Sequence, residues 1–266
     1  MNRSRRRPKL GQHFLSQPDF CRRIADSLAI APGDLVVEIG SGRGAMTRLL
    51  AGRGSHLTAV EIDPSLAASL RKEFQADDRV EILEQDVLKA GLEDLCGLRR
   101  ADHCFVFGNL PYYITSPILH HLFAERSRIR RMTLLVQREV AERLTAAPGC
   151  KDYGYLSVLV QCSSRPQILF GIPPGAFSPP PKVDSALVDF PMAARFPAWD
   201  EQAHTAFLRF AGRSFGQKRK SLLNNLSSDY PRPRVRRAIE ALGFGELIRA
   251  EQLSLEELAT LFDALA

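Results

Sequence analysis

The chain has 266 residues, 45% of them hydrophobic and 25% charged, a balance that belongs to soluble globular proteins and leaves room for a sizeable core. Its five cysteines are odd in number and hold no C-x-x-C pair, which argues against a disulfide scaffold or a zinc or redox dithiol motif and points to reduced thiols in the cytoplasm. No apolar run approaches the roughly 18–20 residues of a membrane span, and the net charge of +6 is gathered into two blocks, the pattern of a protein that meets a polyanion such as nucleic acid.

The first block is the opening tail, with Arg3, Arg5, Arg6, Arg7 and Lys9 and no apolar stretch of the kind a secretory signal needs. Phe20, Ile24 and Leu28 then recur at helical spacing, and Pro32-Gly33 breaks the chain. LVVEIG reads as a buried strand running into a glycine cluster, and AMTRLLAGRG as a helix closed by Gly52 and Gly54. LTAVEID is a second strand, PSLAASLRKEF a helix with Pro64 at its start, and VEILEQD a third strand. HCFVFGNLP is a fourth strand ending in a polar turn; SPILHHLFAER, RMTLLVQ and REVAERLTAA follow as helix, strand and helix. This alternation predicts an α/β fold, a Rossmann-like sheet covered by helices on both faces.

YLSVLVQCS fits a buried helix or a strand, with helix preferred. QILF and SALVDF read as an antiparallel strand pair at the sheet edge, joined by the proline-rich GIPPGAFSPPPKVD. Beyond this the pattern is helical only, so a first domain, 1–192, is expected to precede a small helical domain, 193–266. The second basic block lies there: Thr205–Arg237 holds nine basic residues and one acidic. Ser254 and Glu257 have the spacing of a capping box.

The loop EIGSGRG carries Glu38, Gly40, Gly42 and Gly44, and such glycines let a backbone approach a ligand closely. Its G-x-G-x-G spacing departs from the G-x-G-x-x-G of dinucleotide folds. Glu61 ends the next strand, where an acid accepts from ribose hydroxyls. Asp86 ends the third, where a carboxylate accepts from an adenine amino group. The fourth strand enters Asn109-Leu110-Pro111-Tyr112. There an amide oxygen and a main-chain carbonyl can accept both N–H bonds of an exocyclic amine, Pro111 stiffens the turn, and Tyr112 offers a ring for a base.

EIGSGRG, EID, QD and NLPY together resemble class I S-adenosylmethionine-dependent methyltransferases that act on adenine amino groups. LGQHFL (Leu10–Leu15) and FSPPPKVDSALV (Phe177–Val188) are similar to the ribosomal RNA adenine dimethyltransferase family. The likeness is strongest to its bacterial members, which dimethylate two adjacent adenines near the 3′ end of small-subunit ribosomal RNA. It spans essentially the whole chain. The resemblance implies S-adenosylmethionine as cofactor, and a monomeric cytoplasmic enzyme acting on the ribosomal RNA of a small-subunit precursor. It implies His13 and Leu15 over the cofactor, Gly40 and Gly42 beside its methionine part, Glu61 at its ribose and Asp86 at its adenine. Asn109 is implied at both cofactor and target amine, with Leu110, Pro111 and Tyr112 completing the reactive turn. His13 departs from the Asn that many relatives carry.

Phe177 precedes the Pro179-Pro180-Pro181 run, and its ring is expected against the flipped base opposite Tyr112. No His/Cys cluster suggests a metal, and no cysteine stands in NLPY, as a ring-carbon methyltransferase would require. Three competing readings are an NAD-dependent oxidoreductase, a non-catalytic assembly factor that binds RNA, and a large-subunit methyltransferase of the antibiotic-resistance type.

Overall fold

The computed structural model describes residues 12–266, so the basic tail and the first two residues of LGQHFL lie outside the described residues. The chain divides into two compact units, one formed by residues up to 141 with 167–192, the other by 142–166 with 193–266.

The first unit opens with β1 (Phe14–Leu15) and α1 (Pro18–Ser27). Strands β2 (Leu35–Ile39), β3 (His56–Glu61) and β4 (Val80–Glu84) then alternate with α2 (Ala45–Ala51) and α3 (Pro64–Glu73). The short α4 (Leu92–Leu98) leads to β5 (Cys104–Asn109), followed by α5 (Thr115–Ala124), β6 (Ile129–Gln137) and α6 (Arg138–Thr145), which runs into the second unit. In that unit α7 (Tyr155–Gln161) follows, and the chain returns as β7 (Gln167–Ile172), β8 (Phe177–Ser178) and β9 (Ser185–Pro191).

Seven strands form one sheet in the order β4-β3-β2-β5-β6-β9-β7. Pairing is parallel from β4 to β6 and antiparallel on both sides of β9. β2 is buried at every position, Glu38 included, as expected of a mostly apolar strand covered on both faces. The parallel register puts the carboxyl ends of β4, β3, β2 and β5 side by side.

A second, two-stranded sheet pairs β1 with β8, Phe14 opposite Ser178 and Leu15 opposite Phe177. The sequence reading has no such pair: each strand is two residues long and the partners lie far apart in the chain, so neither leaves a periodic trace. Leu15 and Phe177 are buried in one cluster with Cys21, Ile24, Met46, Leu50, Phe107 and Leu187.

The second unit adds α8 (Glu201–Ser214), α9 (Leu222–Leu226), α10 (Arg232–Ala241) and α11 (Leu255–Leu265). Ser254 caps α11 with its hydroxyl, and Glu257 reaches back to the Ser254 N–H at 2.7 Å. The sequence pattern assigns 142–166 to the first unit. Here Tyr153, Val158 and Cys162 are buried in one cluster with Phe207, Phe210, Leu222 and Leu258, so apolar packing assigns that segment to the helices instead.

Candidate active site

Gly40, Gly42 and Gly44 all have positive φ, 73°, 55° and 81°, the left-handed region that costs a side chain and costs glycine little. Close packing adds a second reason at Gly42, where a Cβ would stand 2.8 Å from Cδ1 of Phe14. The glycine loop therefore lies directly beneath the segment Gln12–Leu15. Arg43 holds that segment from outside, its guanidinium 4.8 Å from the centre of the Phe14 ring.

Glu61 ends β3 and is 1% exposed. Its Oε2 accepts the Gly42 N–H at 2.7 Å and its Oε1 the Asp63 N–H at 2.9 Å. One carboxylate thus ties the glycine loop to the turn before α3, with lone pairs left over on both oxygens. Asp86, beyond β4, caps the following turn by accepting the Leu88 N–H at 3.0 Å.

Asn109 ends β5, next to β2 in the sheet. Its Nδ2 donates to the His13 carbonyl oxygen at 2.9 Å. The amide orientation follows, because a carbonyl takes only a donor, and Oδ1 is left without a protein donor among the described residues. Tyr112 is half-buried. Its hydroxyl is 2.5 Å from Ser185 Oγ, and burial pushes its phenol above the ordinary value, so the group stays neutral.

Three adjoining cavities follow this edge. His13, Gly40, Gly42, Glu61, Asn109, Leu110, Pro111 and Tyr112 border one. A cleft continues past Ile62, Asp86, Val87 and Tyr113. The third runs under the glycine loop, against Leu15, Glu38, Ser41, Met46 and Phe107. The structure thereby brings together every sequence-predicted site residue except Phe177. That ring is 3% exposed and belongs to the Leu15 cluster, because strand pairing turns it inward. The exposed aromatic at this edge is Tyr113, at 63%.

Glu38 lies near the end of β2, just before the glycine loop, and the sequence motif gives it no task. It is 2% exposed, and its Oε2, like the Ser41 hydroxyl, has no hydrogen-bond partner among the described residues. Burial pushes its carboxyl up to about 7; the Thr47 hydroxyl pulls it back and the Glu61 charge pushes the same way as burial. Buried polar atoms without partners are costly, and two of them bordering one cavity suit a ligand with a cationic, hydrogen-donating end. The positive-φ glycines, the orphaned carboxyl oxygen and the apolar cleft at Ile62 together fit a zwitterionic amino acid joined to a nucleoside.

The sequence profile of the family described as ribosomal RNA adenine dimethylase matches residues 3–266. The chain is 44% identical over 262 residues to the ribosomal RNA small subunit methyltransferase A of Acidobacterium capsulatum, an alignment covering 97% of this chain and 91% of that protein. It is 39% identical over 263 residues to the protein of the same name from Geobacillus thermodenitrificans, with 96% and 89% covered. Among solved structures, a 23S rRNA methyltransferase, ErmE, is similar at 29% identity and a TM-score of 0.71, with 95% and 99% covered. A dimethyladenosine transferase from Plasmodium falciparum shares the fold, with a TM-score of 0.79 at 23% identity and 94% and 96% covered.

Proposed function

The chain belongs to the ribosomal RNA adenine dimethylase family, and on that premise we propose that it transfers methyl groups from S-adenosylmethionine to the exocyclic amines of two adjacent adenines near the 3′ end of small-subunit (16S) ribosomal RNA. It acts as a monomer in the cytoplasm, on a small-subunit precursor.

The observation that carries this reading is the order of side chains along the sheet edge. Asp86, Glu61, Gly40 and Asn109 stand at or just beyond the ends of β4, β3, β2 and β5, which are consecutive in the sheet. Three strand spacings make roughly 14 Å, the reach of adenine, ribose and methionine laid in line. Asp86 then meets the cofactor's adenine, Glu61 its ribose and the Gly40–Gly42 loop its methionine part. Glu38 takes the methionine ammonium, and His13 with Leu15 covers the whole.

When bound, the cofactor supplies a methyl group made electrophilic by its sulfonium. The difficulty lies with the amine, whose lone pair is delocalised into the adenine ring. Asn109 Oδ1, the free acceptor, takes one N–H, and a main-chain carbonyl of the turn takes the other. Holding both N–H bonds aims the lone pair, and the same acceptors stabilise positive charge as it develops on nitrogen. Alignment alone contributes on the order of several kcal/mol. Leu110, which is buried, and Pro111 hold the turn rigid, while Tyr112 stacks on the base. The surplus proton leaves to water. The basic residues of α8 to α10, in the other unit, meet RNA phosphates.

Asn109→Ala tests the chemical assignment. With cofactor saturating, its single-turnover rate should fall by roughly 10²-fold or more while RNA affinity changes little; a rate equal to the parent's would remove Asn109 from the amine. Methyl mapping of ribosomal RNA from cells with and without the protein tests the substrate. A missing mark on the large subunit instead would favour the activity named for ErmE, and no missing mark would favour a binding protein.

A further inference from the structure

The turn expected to hold the target base, Asn109–Tyr112, and the proline run Pro179–Pro181 are joined by a single side chain, that of His13. Its Nδ1 lies 2.8 Å from the Pro179 carbonyl oxygen; a carbonyl only accepts, so Nδ1 carries the hydrogen. Its ring is stacked on that of Tyr112, centroids 5.6 Å apart and planes inclined by 29°. Its own carbonyl oxygen accepts from Asn109 Nδ2. These are interactions of the kind adenine makes: a flat face on an aromatic ring, and an N–H, in adenine that of the exocyclic amine, given to a main-chain carbonyl. Tyr112 cannot readily offer this face elsewhere, because its hydroxyl is held by Ser185.

We propose that His13 is a stand-in for the target base: its imidazole occupies the stacking place on Tyr112 in the free enzyme, and the entering adenine displaces it. The inference rests on the reading of Tyr112 as the ring that stacks on the base. Displacement is local. The bond from Asn109 to His13 is made by the main chain, so the ring can swing out while Gln12–Leu15 stays across the cavity and Oδ1 of Asn109 keeps its aim. The exchange also filters bases. A purine offers more stacking surface than the imidazole it replaces, whereas a pyrimidine offers little more, so adenine displaces the ring where cytosine gains little by doing so.

The test uses an RNA hairpin with 2-aminopurine at the methylated position, bound to the full chain saturated with S-adenosylhomocysteine so that no transfer occurs. Emission reports whether the base has left the helical stack, and melting curves establish that each variant is folded. His13→Ala should raise the extruded fraction, at equal RNA occupancy, by about threefold or more. His13→Phe, whose larger ring covers Tyr112 more fully, should lower it, and Tyr112→Leu should lower it too. If His13→Ala lowers or does not change the extruded fraction while Tyr112→Leu reduces it, His13 is a wall of the site and the stand-in role is overturned. If neither variant changes the signal, the stacking role of Tyr112 falls, and this proposal with it. Should His13→Ala fail to fold, His13→Asn, which keeps a hydrogen-bond donor and removes the ring, answers the same question with the same expected rise.

Discussion

Replacing Glu38 with Gln removes a charge and almost no volume from a fully buried site. In the parent the carboxyl titrates near 7 in the folded state, against an ordinary value of 4.5. At about 1.4 kcal/mol for each tenfold change in proton affinity, the rise from 4.5 to about 7 amounts to about 3 kcal/mol. The folded state holds the proton more tightly than the unfolded state, so the neutral carboxyl's contribution is fully present below pH 4.5 and is lost as pH rises through 7. Above that, the free protein carries a buried carboxylate whose Oε2 has no hydrogen-bond partner among the described residues. Glutamine does not titrate. The stability of Glu38→Gln relative to the parent should therefore improve by about 3 kcal/mol between roughly pH 4.5 and pH 8, measured by urea unfolding at each pH. A constant difference across that range would refute the buried-carboxyl account. Ligand binding should show the converse. An ammonium beside Glu38 favours the ionised form, so calorimetry at about pH 6.5 in two buffers should detect a proton released when S-adenosylmethionine binds to the parent and none with the variant. The variant should also bind it more weakly.

Glu61→Ala strips the acceptor from two backbone N–H groups, at roughly 1.5–3 kcal/mol for each charge-assisted bond, so melting temperature and cofactor affinity should fall together. Glu61→Gln should rescue neither fully, since both partners are N–H donors and an amide turns its own NH₂ toward one of them; full rescue in calorimetry would show that the carboxylate pairing is dispensable. Phe177→Ala should cost about 3–5 kcal/mol of stability, as for a buried aromatic, and a decrease below about 1 kcal/mol in urea unfolding would return the ring to the surface role expected from sequence. Combined Lys218→Ala, Arg219→Ala and Lys220→Ala should lower the magnitude of the RNA-binding salt slope by about 0.7–0.9 for each phosphate that is no longer neutralised. Lys218 donates to the Lys151 carbonyl at 2.8 Å within its own unit, so a lowered melting temperature with an unchanged slope would assign it to structure.

The sheet was legible because each parallel strand is a short apolar run closed by a turn signal, and hydrophobic burial on both faces leaves no other use for LVVEI or CFVFG. Asp86, Glu61, Gly40 and Asn109 were legible for a related reason: residues that end parallel strands share one edge wherever the strands are neighbours. Tertiary pairing was not legible. Nothing local in HFL or FSP announces that Leu15 lies opposite Phe177, and a phenylalanine beside three prolines looks like a loop residue until a partner strand turns it inward. The fate of 142–166 was hidden likewise, since Tyr153 and Val158 are apolar in any unit and only the position of Phe207 and Leu258 decides which core they join. Glu38 escaped because a lone acid near the end of a buried strand has no periodic signature; only the packing of β2 between its neighbours shows that the carboxyl is shut off from water.

The pairing of β1 with β8 changes what Phe177 does. A ring that stacks on the base would act on the base alone, whereas a buried ring opposite Leu15 acts on the position of residues 12–15. Those residues carry the carbonyl that orients Asn109, the imidazole that covers Tyr112 and the Phe14 ring packed on Gly42. On the proposed reading, methyl transfer depends on a segment whose own strand is two residues long and which is held by hydrogen bonds from Ser16 to Ala176 and from Asn109 to His13 and by burial of Leu15 in one apolar cluster. Disruption of that cluster should release the amide of Asn109 and the covering of the cofactor cavity in the same event. Burial of Leu15 and Phe177 and competence of the site are therefore coupled in this fold, through the His13 carbonyl that orients Asn109.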